Sequence, residues 1–445
     1  MKRKLICRLT IIALLTLAVT PLLSHCSPQP SPTPSTPSPT PVPVSTKAPQ
    51  DVVITLGGWR TSTGRLQEVL ARFNATHPGI IVRFEPSSSG EYDPVLKAQL
   101  ESGAAPDLFY LRSFSKSETL YDQGYLTPLS NLSGLKSSFE PAMLAPWTAE
   151  DGALYGVPFT ATSHGIYYNE DLFAELGLSV PQTWGELLAT AETLEEAGYI
   201  AFANGTKDSW TVAEILFMNI APNYIGGREG RMAYLEGERC FDDAHVVQAF
   251  QAIEALEPHL PAEHALLGYI DSLQLFVQGK AAMWMSGSWD IPYFEEAEPG
   301  FDWSVFAVPP PAGQPGYVTF HLDVGIGLNA TSNHPEEARA FLTWMTTPEF
   351  GELLGNAMPG FFPMHKQSPT LTNGHANAFL ALNEGRETDI RFAWERLGDG
   401  EPTGYALMQS GAQAVLEGEQ TPEEAAAALQ AGLAQWFEPA QSCQR

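Results

Sequence analysis

The sequence predicts an α/β protein of two lobes, and three observations lead there. Its 445 residues, 44% of them apolar, exceed what one hydrophobic core usually supports and suffice for two. From Val52 onward a β-turn-α-β order sets in, which implies a parallel strand pair with a crossover helix. Residues 154–173, LYGVPFTATSHGIYYNEDLF, separate two stretches of chain that read as different units. Gly156 and Pro158 break local structure, residues 160–168 can run extended, and Asn169 offers a helix N-cap ahead of Glu170 and Asp171. As a strand crossing between lobes, this stretch would leave Thr162 and Ser163 near the floor of a cleft, where ligands of two-domain proteins usually sit. The alternative is an ordinary core strand.

The chain begins with a secretory signal over residues 1–25. Lys2, Arg3, Lys4 and Arg8 precede the apolar run 9–23. Leu23-Ser24-His25-Cys26 resembles a lipoprotein cleavage site with Cys26 as the lipid-bearing residue, although His25 departs from the usual small residue there. Residues 26–49 are almost entirely Ser, Pro, Thr and Val, too poor in apolar side chains to fold, and read as a linker stalk. No later stretch is long and apolar enough to span a bilayer. Removing the signal deletes four basic groups and no acidic one, moving the formal charge from −27 to −31. Such acidity argues against nucleic acid or an anionic membrane surface as the main partner. Of the four cysteines, Cys7 lies in the signal and Cys26 ends it, leaving Cys240 and Cys443, an exported pair that could form a disulfide.

Within the folded part, residues 52–56 form a strand, residues 57–60 a turn and residues 61–63 N-cap candidates. Leu66, Val69, Leu70 and Phe73 then mark a helix ending near His77, and residues 80–84 a second strand. Ligands of such sheets sit beyond the carboxyl ends of strands, which puts Trp59 and Arg60 at the right edge, a packing role for Trp59 being the alternative. A helix starts at Asp93-Pro94 and stops at Gly103, strand 108–111 leads to Arg112 and Ser113, and a short helix over 119–123 is closed by Gly124. Thr183 and Glu186 form a capping box for the helix carrying Leu187, Leu188, Ala191 and Leu194. Trp210 opens a helix through Ile215, and Val246, Val247, Phe250 and Ile253 mark another. A helix ends at Gly279, residues 281–285 form a strand and residues 286–289 a tight turn bearing Trp289. Strands follow over 303–308 and 318–328, then a helix capped at Asn333 and a last one opened by the capping box Thr421-Pro422-Glu423-Glu424.

Gly325-Ile326-Gly327-Leu328-Asn329-Ala330 matches a dinucleotide fingerprint by letters, but the helix begins several residues later, so no helix N-terminus meets a phosphate. Ten scattered histidines do not suggest a metal site, and no cofactor is expected. Paired acids would be needed for glycoside hydrolysis, yet Asp242-Asp243 and Glu295-Glu296 read more simply as helix caps and solvated faces. What recurs is an aromatic at a strand-to-helix edge: Trp59, Trp210, Trp289 and Tyr405. Aromatic faces match the C–H face of a sugar ring, and neighbouring Asp, Arg and Thr can bind its hydroxyls.

The segments together resemble the family 1 extracellular solute-binding proteins of ABC importers. They are residues 52–60, Ala105-Pro106-Asp107-Leu108, Leu154-Tyr155-Gly156-Val157-Pro158-Phe159, and Tyr168-Asn169-Glu170-Asp171-Leu172 followed by Thr183-Trp184. To these add Phe276-Val277-Gln278-Gly279-Lys280-Ala281-Ala282-Met283 and Gly287-Ser288-Trp289. The resemblance implies a periplasmic-binding-protein-like clamshell with a hinge and discontinuous lobes, 51–161 plus 306–356 and 162–305 plus 357–445. It further implies a monomer that binds without catalysis and docks on membrane permease subunits. By position it makes Trp289 a stacking residue and Tyr405 another aromatic. It puts Trp59 and Arg60 in one binding loop, Arg112 and Ser113 in a second, Thr162 beside the hinge and Trp210 on the helix after the crossing. His321 and Asp323 fill a loop that is Gly-rich in many relatives, a departure that hints at a specific polar contact. Three rivals remain. An anion such as a glycerophosphodiester would suit Arg60, Arg112 and Arg391, and an extracellular glycosidase or a sensory or adhesive lipoprotein would share the exported address.

Overall fold

The computed structural model describes residues 51–59, 63–88 and 90–444. The signal, the linker, Cys26 and Arg60 lie outside the described residues. Among the described residues there are nine strands: β1 Val52–Trp59, β2 Ile80–Ser87, β3 Leu108–Leu111, β4 Gly156–Asn169, β5 Ile200–Phe202, β6 Ala281–Gly287, β7 Trp303–Phe306, β8 Tyr317–Leu328 and β9 Glu387–Asp389. They order as β2-β1-β3-β8-β4-β6-β5, with β7 on β4 and β9 on β8. As the β-turn-α-β order requires, β1 and β2 are parallel and the helix Thr63–Thr76 crosses between them.

The joint of the molecule is β4, buried along its whole length except at Tyr168. Residues 156–163 pair antiparallel with β8, while residues 164–169 leave that neighbour for β6 and β7. Irregular register around Pro158 and Thr160 bends the strand before it changes partners. One strand thus serves two layers, and each layer has its own core. The first gathers Leu56, Phe73, Leu111, Trp147 and Phe350 and reaches Phe276 and Trp284. The second gathers Leu187, Phe217, Phe250, Leu416 and Leu429. This is a two-lobed α/β fold.

The glycines of the fingerprint-like segment have a packing reason. A Cβ at Gly325 would sit 2.5 Å from the Trp147 indole, so β8 can lie against that ring only without a side chain there. Gly103 closes the helix Tyr92–Ser102 in the left-handed conformation, as its place after the apolar pattern suggests.

Several local expectations are corrected. Ser286 and Gly287 still belong to β6, so the turn bearing Trp289 is the 3-10 segment Ser288–Asp290. The helix opened near Trp210 continues as a π-helix, Thr211–Phe217. Helix Pro335–Met345 has His334 at its N-cap, in place of Asn333, with no side-chain cap bond. The Thr183 hydroxyl accepts from the Glu186 N–H, but the Glu186 carboxylate takes the N–H of Gln182 one residue earlier, so the box is not reciprocal. Glu296 is exposed as expected, but Glu295 is only about a quarter exposed, pairing with Arg65 at 2.9 Å and accepting from Asn373. Cys240 and Cys443 are joined by a disulfide, their Cα atoms 5.2 Å apart. Among the described residues no helix is long and apolar enough to cross a membrane, and no group of His, Cys, Asp or Glu is arranged to hold a metal ion.

Candidate functional site

The change of partners along β4 builds the floor of the candidate site. Thr162 and His164, two residues apart, share one face of the strand. Thr162 is registered against His321 of β8, and its Oγ1 lies 3.1 Å from the His321 Nε2. Asp323, two residues along β8, places a carboxylate oxygen 3.4 Å from the same nitrogen. Across β6 comes Trp289, whose ring centre is 5.0 Å from that of His164 and nearly perpendicular to it. His164 and His321 are themselves 5.0 Å apart, and Trp394 stands edge to face on His321, again at 5.0 Å. The floor is therefore a row of rings, Trp289, His164, His321 and Trp394.

Each tryptophan is held from behind. The Trp289 Nε1–H donates to the Tyr269 oxygen at 2.8 Å, Tyr269 donates to the Asp290 carboxylate, and the buried Trp284 Nε1–H donates to Asp290 at 2.8 Å. Burial pushes the Asp290 carboxyl up to about 6, against the donors that favour its charge. Trp394 precedes Glu395, which has a positive φ of 58° and an ion pair to the buried Arg231. That pair, with Asp389 on the other side of Arg231, offsets the backbone strain and fixes the turn.

Both arginines of the site are paired with carboxylates. Arg391 pairs with Glu214 at 2.8 Å and lies 5.0 Å over the Trp394 ring, and Tyr405 donates to the other Glu214 oxygen at 3.0 Å. Arg112 pairs with Asp93 at 3.0 Å and covers the Trp59 ring at 4.5 Å. Burial opposes the Arg112 charge, but Asp93 and Glu214 more than offset it and hold its pKa up. Burial raises the Asp323 carboxyl, with Arg391 and Arg112 pulling it back. Both imidazoles are pushed well below the usual histidine range by burial, and the Arg391 cation adds to this.

The sequence-derived candidates fall into groups. Thr162, Trp289, His321 and Asp323 meet on the floor. Arg112 and Tyr405 meet at its side through Glu214, which acts on Arg112 by its charge and on Tyr405 by a hydrogen bond. Trp210 packs on Tyr269, the hydrogen-bond partner of Trp289, at 4.9 Å. Trp59 is 8% exposed, with Arg112 over its ring and Tyr92 and Tyr110 set edgewise against it, so it packs and does not present an open face. Ser113 spends its hydroxyl on the Leu322 carbonyl, tying the end of β3 to β8. His164, Glu214, Tyr269, Asp290 and Trp394 were not legible as site residues, although His164 sits two residues from Thr162 on the crossing strand.

The sequence profile of the bacterial extracellular solute-binding proteins matches residues 57–352. The chain belongs to this family. Among curated relatives it is 26% identical over 299 residues to the multiple sugar-binding protein of Streptococcus mutans, covering 63% of this chain and 68% of that one. Among solved structures it is similar to RafE of Streptococcus pneumoniae, seen in complex with raffinose. There the TM-score is 0.70 and the identity 23%, over 88% of this chain and all of that one. It is also similar to the GacH receptor of Streptomyces glaucescens, solved with acarbose, with a TM-score of 0.71 and 20% identity over 88% of this chain and all of that one. At such identities the structures show the fold, a two-lobed solute-binding protein.

Proposed function

We propose that this solute-binding protein captures an uncharged carbohydrate, an oligosaccharide, between its lobes and delivers it to an ABC import permease without altering it. The observation that carries the reading is Trp289. Its indole edge is bound to Tyr269 and its ring stands beside the polar floor of Thr162, His164, His321 and Asp323, a stacking surface next to groups that bind hydroxyls. The names of relatives point the same way: a multiple sugar-binding protein, a mannitol-binding protein of Pseudomonas aeruginosa, and structures with raffinose and acarbose.

The lobes we assign are 51–161 with 306–356 and 162–305 with 357–445, hinged where β4 and β8 pass between them. Ligand contacts made from both lobes exist only in the closed form and so favour it. Cys26 would carry the lipid anchor and residues 26–49 the stalk, which holds a monomer at the outer face of the cell membrane.

An anionic solute is less well supported. Arg112 and Arg391 are each already paired with a carboxylate, so an anion would have to displace Asp93 or Glu214. Hydrolysis is disfavoured as well, since Glu214 and Asp290 are both occupied by strong donors. Thermal unfolding against raffinose, stachyose, acarbose, chitin and xylan oligosaccharides, mannitol and a glycerophosphodiester tests the reading. A ligand at about a hundred times its Kd adds roughly 2.7 kcal/mol, enough for a visible shift in Tm. A shift with the phosphodiester and none with any sugar overturns it.

A further inference from the structure

On the floor of the site one side chain stands out chemically. His164 is 1% exposed, yet neither of its ring nitrogens has a hydrogen-bond partner among the described residues. The Nδ1 of His321 and the Nε of Arg391 are unpartnered in the same way. Buried polar groups are nearly always bonded, and leaving one without a partner costs free energy. Two buried amides show the usual outcome: Asn204 bonds the Met285 backbone through both its amide nitrogen and its oxygen, and Asn223 bonds Val308 and Tyr317. Single unpartnered nitrogens also occur at Asn219, Trp344 and His365, but both nitrogens of His164 and those of His321 and Arg391 lie together beside Trp289 and Trp394.

We propose that His164 is a ligand-reading residue that also senses closure: it hydrogen-bonds hydroxyls of the bound sugar, and unpartnered it disfavours closing of the lobes. The proposal rests on the carbohydrate reading above and assigns it a residue. A neutral imidazole carries one N–H donor and one nitrogen acceptor. A pair of neighbouring sugar hydroxyls offers the matching acceptor and donor, whereas an anion offers acceptors only. The ring centre lies 5.0 Å from that of Trp289, so a pyranose stacked on the indole is within hydrogen-bond reach. The Nδ1 of His321, whose Nε2 is held by Thr162, extends the same row toward Arg391. When the lobes shut without a solute, these nitrogens leave water and gain nothing in return. With a solute they are satisfied, so ligand and closure favour one another.

The test compares His164→Phe, which fills the space without polar atoms, with His164→Asn, which keeps one donor and one acceptor. The sugar giving the largest wild-type Tm shift in the panel above is titrated calorimetrically into each purified variant. H164F is expected to weaken Kd about tenfold or more while its ligand-free Tm stays equal to or above that of the wild type. H164N is expected to stay within a few fold of the wild-type Kd. Should H164F fail to fold, H164L carries the same comparison. Wild-type affinity in H164F or H164L overturns the proposal and leaves the carbohydrate reading standing, as does a fall in ligand-free Tm with Kd unchanged, the mark of a merely structural histidine. Absence of any sugar-induced shift in the wild type overturns both.

Discussion

Trp289 is the residue on which affinity is expected to depend most. Its orientation comes from Tyr269 and Asp290 behind it and not from the surrounding apolar packing alone. Trp289→Ala should cost at least about tenfold in sugar Kd while far-UV circular dichroism is unchanged. Isothermal titration giving wild-type affinity would remove Trp289 from the site. Asp290 makes a separate prediction through its titration. Its carboxyl is raised to about 6 in the folded protein and is near 4 in the unfolded chain, so between those values the folded state holds a proton that the unfolded state has lost. Its contribution is fully present below pH ~4 and is lost as pH rises through ~6, a difference of about 3 kcal/mol. Urea midpoints for the wild type and Asp290→Asn across this range should therefore diverge, the decline with rising pH being absent from the variant; parallel curves would contradict the assignment. At this scale the sequence was readable only in part. Trp289 was visible because it follows a strand and a Gly-Ser turn, but nothing local revealed that Arg112 covers Trp59. A lone histidine within a strand has no periodic signal, and His164 gains meaning only from β8 and Trp289, more than a hundred residues away.

Helix ends were legible because capping is a contact between residues three apart. Asn169 accepts from Leu172, and Thr421 and Glu424 close a reciprocal box with Pro422 at the first helical position. Replacing Thr421 with Ala is expected to cost about 1 kcal/mol of stability by removing the acceptor for the Glu424 N–H, with no change in ligand affinity. A denaturant midpoint equal to that of the wild type would show that the cap contributes nothing. Where the partner was not three residues away, the reading slipped: the Glu186 carboxylate chose Gln182, and the π-helical run after Trp210 makes its contacts with distant or non-helical groups, Thr211 donating to the Gly205 carbonyl and Phe217 packing on Phe250. Strand β4 was legible as a long extended run. Its exchange of β8 for β6 and β7 was not, because register is set by distant strands.

Over the whole molecule, the division into two units followed from length and from the crossing stretch, whereas the contacts that hold those units together did not. Arg65, on the helix after β1, meets Glu295 at 2.9 Å and Glu296 at 3.6 Å on the helix after Trp289. Lys116 lies 5.7 Å over the Tyr405 ring, and Phe114 meets Trp394 at 6.0 Å. In the lobe assignment proposed above, all of these cross from one lobe to the other, so they exist only when the lobes are together. Arg65 and Glu295 are each about a quarter exposed, which limits such a pair to about 1 kcal/mol, or roughly fivefold in a closing equilibrium. Arg65→Glu replaces this attraction with repulsion from two carboxylates and should shift the protein toward the open form. Small-angle scattering should then give a larger radius of gyration without ligand, and the sugar Kd should weaken about fivefold, since closure is part of binding. Exchanging the charges, Arg65→Glu with Glu295→Arg, restores the pair and should recover most of the loss. If the single variant keeps both its radius of gyration and its affinity, the pair plays no part in closing. If it loses affinity and the exchange does not recover it, Arg65 acts by some means other than its contact with Glu295.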